Sequence, residues 1–325
     1  MSHSSGDSRK VVVAALGSNA LIAVSKFVAA AISGSASMLA EATHSLADTA
    51  NQALLLVGMK LSARTDPDRY PLGRASERYF WAFVVSLMLF LLGGLFAIYE
   101  GVHKLVSPHE KPGNLGASAV VLVVSLALEG ASFWVASREF ARGRGGRSLR
   151  AALFDGRDPT IPLVLLEDTG AVIGLAIALV SIVVTWITGS TTADAIGSLA
   201  IGALLCAVGL SLAFETHGLL IGEGVTREVK ERTLAIIRAT PGVEEVTQFL
   251  SVHLGPDTIL LALKVRFRRG ALVEEVEQTT NRIEERVRSA LPEMKKIFVE
   301  ADGAYDSALD PAMTSLRAAP AREDV

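Results

Sequence analysis

Cysteine is nearly absent. The chain has one, Cys206, inside an apolar block, which excludes a disulfide framework and any cysteine-rich metal site. Charge of either sign is not in excess either. Thirty-one Lys and Arg stand against 34 Asp and Glu, a net charge of −3, so no global basic surface exists for nucleic acid. There is no nucleophile–base set, no phosphate-binding Gly-rich loop and no HExxH zinc motif, so an enzyme is not indicated. The Gly-rich stretch from Arg142 to Arg147 reads as a basic, lipid-facing linker rather than a nucleotide site. The first ten residues, MSHSSGDSRK, lack the Arg-rich amphipathic character of a transit peptide and precede no small-residue cleavage site. They are read as a polar tail, and the apolar block after them as a retained helix.

What the chain does have is apolar length. Mean hydropathy is +0.41, and the apolar residues are gathered in blocks up to about residue 215, after which the sequence turns charged. A spanning helix needs roughly 20 apolar residues. Six segments qualify, at about 11–31, 37–60, 79–101, 115–137, 160–186 and 191–214. Basic residues alternate between the connecting segments. Arg9 and Lys10 lie in the tail, Arg64, Arg69, Arg74 and Arg78 follow the second helix, and Arg138 to Arg157 follow the fourth. The first and fifth loops have no basic residue. By the positive-inside rule both termini face the cytoplasm. The expected fold is an all-α six-helix transmembrane bundle over residues 11–214, after a tail of 1–10.

Residues 215–302 read as a small cytoplasmic α+β domain of order αββαβ. Thr226 to Ala239 is amphipathic, with Thr226 as its cap and Pro241-Gly242 as its stop. Val246 to Val252 and Thr258 to Phe267 read as strands around a turn at Gly255-Pro256-Asp257. Leu272 to Leu291 reads as a charged helix and Lys296 to Glu300 as a last strand. Residues 303–325, rich in Ala, Ser, Pro and charge, read as a disordered tail.

Ionisable groups inside a bilayer cost roughly 2.5–3.5 kcal/mol each on insertion scales, so each is a functional candidate. In the second segment His44 and Asp48 stand four apart on one helix face, and Asn51 and Gln52 continue it. One imidazole and one carboxylate suit half of a tetrahedral zinc site. The same pair also fits a polar contact that joins two helices. Glu41, one turn earlier, reads as a residue of the outer mouth. In the fifth segment Glu167 and Asp168 are adjacent, about 100° apart on a helix, so one of them faces the second helix. Asn19 and Lys26 are expected to face inward, and Asp194 to cap the sixth helix at the outer mouth. His103 and His109 read as exposed loop residues.

The runs SGSASMLAEATHSLADTANQ and LLEDTGAV, with the late Asp194 and the αββαβ tail, resemble the cation diffusion facilitators over roughly residues 11–302. The LLED run is most similar to the branch of the animal mitochondrial zinc exporter, although no signal here supports that address. The resemblance implies a tetrahedral transport site from two pairs of residues, which fall here on His44, Asp48 and Asp168. The fourth position is Val164, which cannot bind metal, leaving Glu167, Asn51, Gln52 or water as candidates. It further implies a metal/proton antiporter working as a homodimer in a lipid bilayer. Zn2+ is the expected cargo, Mn2+ or Fe2+ the alternative since oxygen ligands favour harder ions, and protons the counter-ion, with no resident cofactor. A membrane metal sensor that does not turn over is the rival class. The inner membrane of a bacterium is the expected location.

Two further departures bear on secondary sites. After the second helix, Tyr70 and Arg74 stand where many members of the family have histidines, and Asp68 reads as a cap or a solvated charge. The metallochaperone-like tail has only His217 and His253, the latter read as an ordinary surface residue near a turn, with Glu300 and Asp302 near ligand positions. It is expected to dimerise without a full metal cluster.

Overall fold

The computed structural model describes residues 5–106, 115–143 and 160–302. The expected disordered tail from residue 303, His109, and the basic stretch from Arg144 to Arg157 lie outside them. The chain divides into two compact units, Met1–Ile221 and Gly222–Val325.

The first unit is built of long helices: α1 (Ser5–Ser33), α2 (Ala36–Ser62), α3 (Glu77–Val106), α4 (Leu115–Gly143), α5 (Thr160–Thr188) and α6 (Thr192–Ile221). Among the described residues, three segments are long and apolar enough to cross a membrane: Glu77–Val106, Leu165–Thr188 and Thr192–Ile221. Asn19–Ser33 and Leu115–Ala131 are shorter apolar helices. Of the six expected apolar spans, three are therefore supported by length and hydropathy among the described residues. α2 falls short because its inward face carries Glu41, His44, Asp48 and Asn51, all buried.

Several helices run past their expected bounds, α3 to Val106 and α4 to Gly143 among them, and two of the differences have local reasons. α1 starts at Ser5, inside the segment read as a polar tail. α6 runs on to Ile221. Glu215 and His217 look like the start of a soluble domain, but Leu212, Thr216 and Leu219 keep the buried helical period. The break comes at Gly222, with φ +102°.

α3 and α6 pack through glycine. A Cβ on Gly94 would stand 2.8 Å from the Cys206 backbone nitrogen, and one on Gly202 would stand 2.8 Å from the Gly94 carbonyl oxygen. Backbones this close are the means by which apolar helices associate where lipid removes the hydrophobic drive. α3 also widens to a π-helical stretch at Leu89–Leu95.

The second unit has the order α7 (Arg227–Arg238), β1 (Val243–Gly255), β2 (Thr258–Phe267), α8 (Val273–Ala290) and β3 (Lys296–Ala301). β2 is central, antiparallel to β1 and parallel to β3. Alternation along β2 sets the two faces. Ile259, Leu261, Leu263 and Val265 are buried with Ile237, Ile283 and Val287 of the helices. On the other face Leu250, Ala262 and Phe298 stand in register across the three strands, with Leu250 and Phe298 exposed.

Candidate metal pathway

α2 is pinned at its start. Gly34, with φ +60°, ends α1, and the Ser35 hydroxyl caps α2 by accepting from the Met38 N–H. Asp194, at the start of α6, completes the cap. It accepts from the Ala36 N–H at 2.7 Å, the Ser37 N–H at 3.3 Å and the Ser35 hydroxyl at 2.7 Å. Lys104 pairs with it at 3.1 Å. Asp194 thus serves the end of α2, where the sequence suggested its own helix. A carboxylate here also complements the positive end of the α2 dipole.

From that cap inward, α2 alternates small apolar residues with polar ones. Ala40, Ala42 and Ala47 are buried, so neighbouring helices approach closely around Glu41, His44, Ser45, Asp48 and Asn51. His44 and Asp48 come together as their spacing predicts, with Nδ1 and Oδ1 3.4 Å apart. Both His44 nitrogens, Asp48 Oδ1, Asn51 Oδ1 and Gln52 Oε1 are buried without a hydrogen-bond partner. Orphaned buried groups of this kind are rare and costly in folded proteins. Five on one helix face make a set of donor atoms that a cation would satisfy.

Glu167 of α5 meets this face. Its Oε1 accepts from Asn51 Nδ2 at 2.9 Å, one helical turn from Asp48. Asp168, the residue the family pattern singles out, is half-buried beside it. Among the described residues, no three of His, Cys, Asp and Glu converge closely enough to hold a metal ion in this conformation. His44, Asp48 and Asp168 are thus carried by the two facing helices without forming a closed three-ligand group.

Sequence reasoning missed a second polar cluster. Lys26 of α1 is fully buried. Its Nζ lies 2.7 Å from Ser45 Oγ, 3.3 Å from Glu41 Oε2 and 3.4 Å from Glu129 Oε1 on α4. Glu41 is therefore interior, not a residue of an open mouth. The available signal was Glu129, an acidic residue alone in the apolar 115–137 segment.

The secondary candidates separate. Asp68 is exposed, and the capping in its loop falls to Asp66, which accepts from the Arg69 N–H at 3.2 Å. Arg74 sits over the Tyr70 ring at 4.6 Å and pairs with Glu77, so the loop is tied by cation–π and ionic contacts. In the second unit Glu300 and Asp302 flank Lys264 at 3.4 and 3.9 Å. His253 is 5% exposed, not a surface residue, and is paired to Ile259 on β2. Five residues of strand, roughly 17 Å, separate that register from the one holding Lys264 and Glu300. His253 cannot share a metal with them.

Comparison with known proteins fits this arrangement. The model of the cation efflux transmembrane domain matches residues 12–221. The mitochondrial proton-coupled zinc antiporter SLC30A9 of Mus musculus is 34% identical over 260 residues, 79% of this chain and 46% of that protein. Metal tolerance protein C4 of Arabidopsis thaliana is 33% identical over 279 residues, 85% of this chain and 61% of that one. Magnetosome protein MamB of Paramagnetospirillum magneticum is 24% identical over 280 residues, 84% and 86% respectively. A solved C-terminal domain of MamM aligns at 18% identity and a TM-score of 0.23, covering 24% of this chain and 94% of that one. The chain spans about half the length of the SLC30A9 proteins it matches. With buried ligand-type side chains on two apposed helices, and a family model covering well over half its length, the chain belongs to the cation efflux transporters.

Proposed function

We propose that this chain exports Zn2+ in exchange for protons, through a pathway between α2 and α5. One observation carries the proposal: orphaned nitrogen and oxygen atoms of His44, Asp48 and Asn51 line one buried face of α2, opposite Glu167. A metal ion arriving there completes its coordination with these atoms, and Asp168 and Gln52 lie within one turn of the set. Asp48 and Glu167 are the carboxyl groups that exchange protons for metal in this reading, because ligands bind deprotonated. Proton return on the far side releases the metal. The name borne by the 34%-identical mouse relative, a proton-coupled zinc antiporter, supports the same reading.

In this reading the six described helices of the first unit span the bilayer, both termini are cytoplasmic, and the host is a bacterial inner membrane. The chain works as a homodimer, for which the exposed row Leu250, Ala262 and Phe298 offers an apolar seam. Mn2+ or Fe2+ is the second reading, favoured by the single nitrogen ligand among oxygens.

Proteoliposomes with an acidic lumen test both readings. Zinc uptake that dissipates the proton gradient and disappears in Asp48→Ala supports zinc antiport. Uptake of Mn2+ or Fe2+ in place of zinc selects the second reading. Metal binding without flux of any ion overturns both in favour of a sensor.

A further inference from the structure

The Lys26 cluster lies outside the set of ligands assigned above, and its composition is unusual. One buried ammonium is shared by the carboxylates of Glu41 and Glu129, 3.3 and 3.4 Å away, and by the Ser45 hydroxyl at 2.7 Å. The formal balance is one positive charge against two negative. Glu41 is fully buried, and only one of its oxygens is engaged. Its Oε1 has no hydrogen-bond partner and faces α5 at Gly174, where a Cβ would stand 2.5 Å away. The absent side chain at Gly174 leaves room for that oxygen, and the oxygen leaves coordination capacity unused.

We propose that Glu41, Glu129 and Ser45 form a second cation station, one turn from His44 along α2, which the protein fills with its own Lys26 ammonium. The donors are all oxygen. Such a set takes Mg2+, Mn2+ or Ca2+ in preference to zinc, whereas the α2–α5 set includes an imidazole. Lys26 is then a tethered occupant. It neutralises the carboxylates in an interior that tolerates no bare charge, and it denies hard divalent ions a resting place beside the zinc pathway. The role in selectivity rests on the efflux reading. The existence of the station does not.

The probe is Mn2+, counted per chain on purified full-length protein by metal analysis and electron paramagnetic resonance. An Asp48→Ala background silences the α2–α5 site. In that background the expected result is no bound Mn2+ with Lys26 or with Lys26→Arg, and one Mn2+ per chain with Lys26→Met. Addition of Glu41→Gln to Lys26→Met returns the count to none. A folded Lys26→Met protein that takes up no Mn2+, or one whose uptake survives Glu41→Gln, overturns the proposal. If Lys26→Met is unfolded in metal-free buffer, the proposal requires Mn2+ to restore its melting transition. A protein that stays unfolded with Mn2+ present overturns it equally. Zinc flux through the unaltered chain, measured alongside, reports on the efflux reading alone. Its absence together with a gained Mn2+ sinks that reading and leaves the station standing, and the reverse pair of results does the opposite.

Discussion

Asn51 of α2 donates a hydrogen bond to Glu167 of α5 at 2.9 Å, both side chains buried. The bond fixes the Glu167 carboxyl at the α2 face that carries Asp48 and so orients a proposed ligand. Removal of such an orienting partner typically weakens metal binding about 10–100-fold. Asn51→Ala is expected to raise the zinc concentration for half-maximal flux by that order. Glu167→Gln, which keeps a hydrogen-bond acceptor for Asn51 but loses the charge, is expected to abolish proton coupling while the protein stays folded. Flux and lumenal pH recorded together separate the two effects. Unchanged coupling in Glu167→Gln would mean that another group carries the proton.

The pair of half-buried Lys104 and buried Asp194 holds the start of α2. Removal of one partner of a buried pair costs about 3–5 kcal/mol, since the other charge is left uncompensated. Asp194→Ala also strips the acceptor from four donors at the start of α2, so it is expected to be strongly destabilised in a detergent melt. Lys104→Met, which leaves the carboxylate still holding four donors from Ser35, Ala36 and Ser37, is expected to lose less. Equal losses would mean that the ion pair, rather than the helix cap, carries the stability.

Glycines in the bundle differ in what surrounds them. A Cβ at Gly202 meets the Gly94 carbonyl and Ile98, and overpacking of this kind costs about 1–3 kcal/mol. A Cβ at Gly130 in α4 meets nothing within 4 Å, and a helical Gly→Ala change stabilises by up to about 1 kcal/mol. Gly202→Ala is expected to lower the melting temperature and Gly130→Ala to leave it unchanged or raise it.

Phe298→Asp places a charge in the apolar row of the second unit. If that row is the seam of a homodimer, light scattering on the full chain in detergent will show a shift toward monomer. A dimer of unchanged strength places the seam elsewhere.

Much of this was legible from local pattern. β2 has the bounds its alternation predicts, Thr258–Phe267, and His44 meets Asp48 because a separation of four residues is one helical turn. What escaped depends on partners remote in sequence. Glu129 finds Lys26 across 103 residues, and Asp194 caps a helix that begins 158 residues earlier. Capping rules are local, so they gave Asp194 to its own helix. His253 looked like a loop-edge residue because the turn was visible and the full length of β1 was not. The strand runs to Gly255 and carries His253 into the interior.

Lys26 and Glu41 also bear on how the bundle is made. α1 and α2 are consecutive, joined by Gly34 and Ser35, and the charge on each lies deep in its helix. Either helix threaded singly into lipid would carry an unmatched ion. If both span the bilayer and are delivered as a hairpin, they cancel one another while still beside the ribosome and the insertion machinery. Glu129 arrives two helices later, to a partner already in place. The order of synthesis thus supplies the counter-charge before the lone carboxylate needs it.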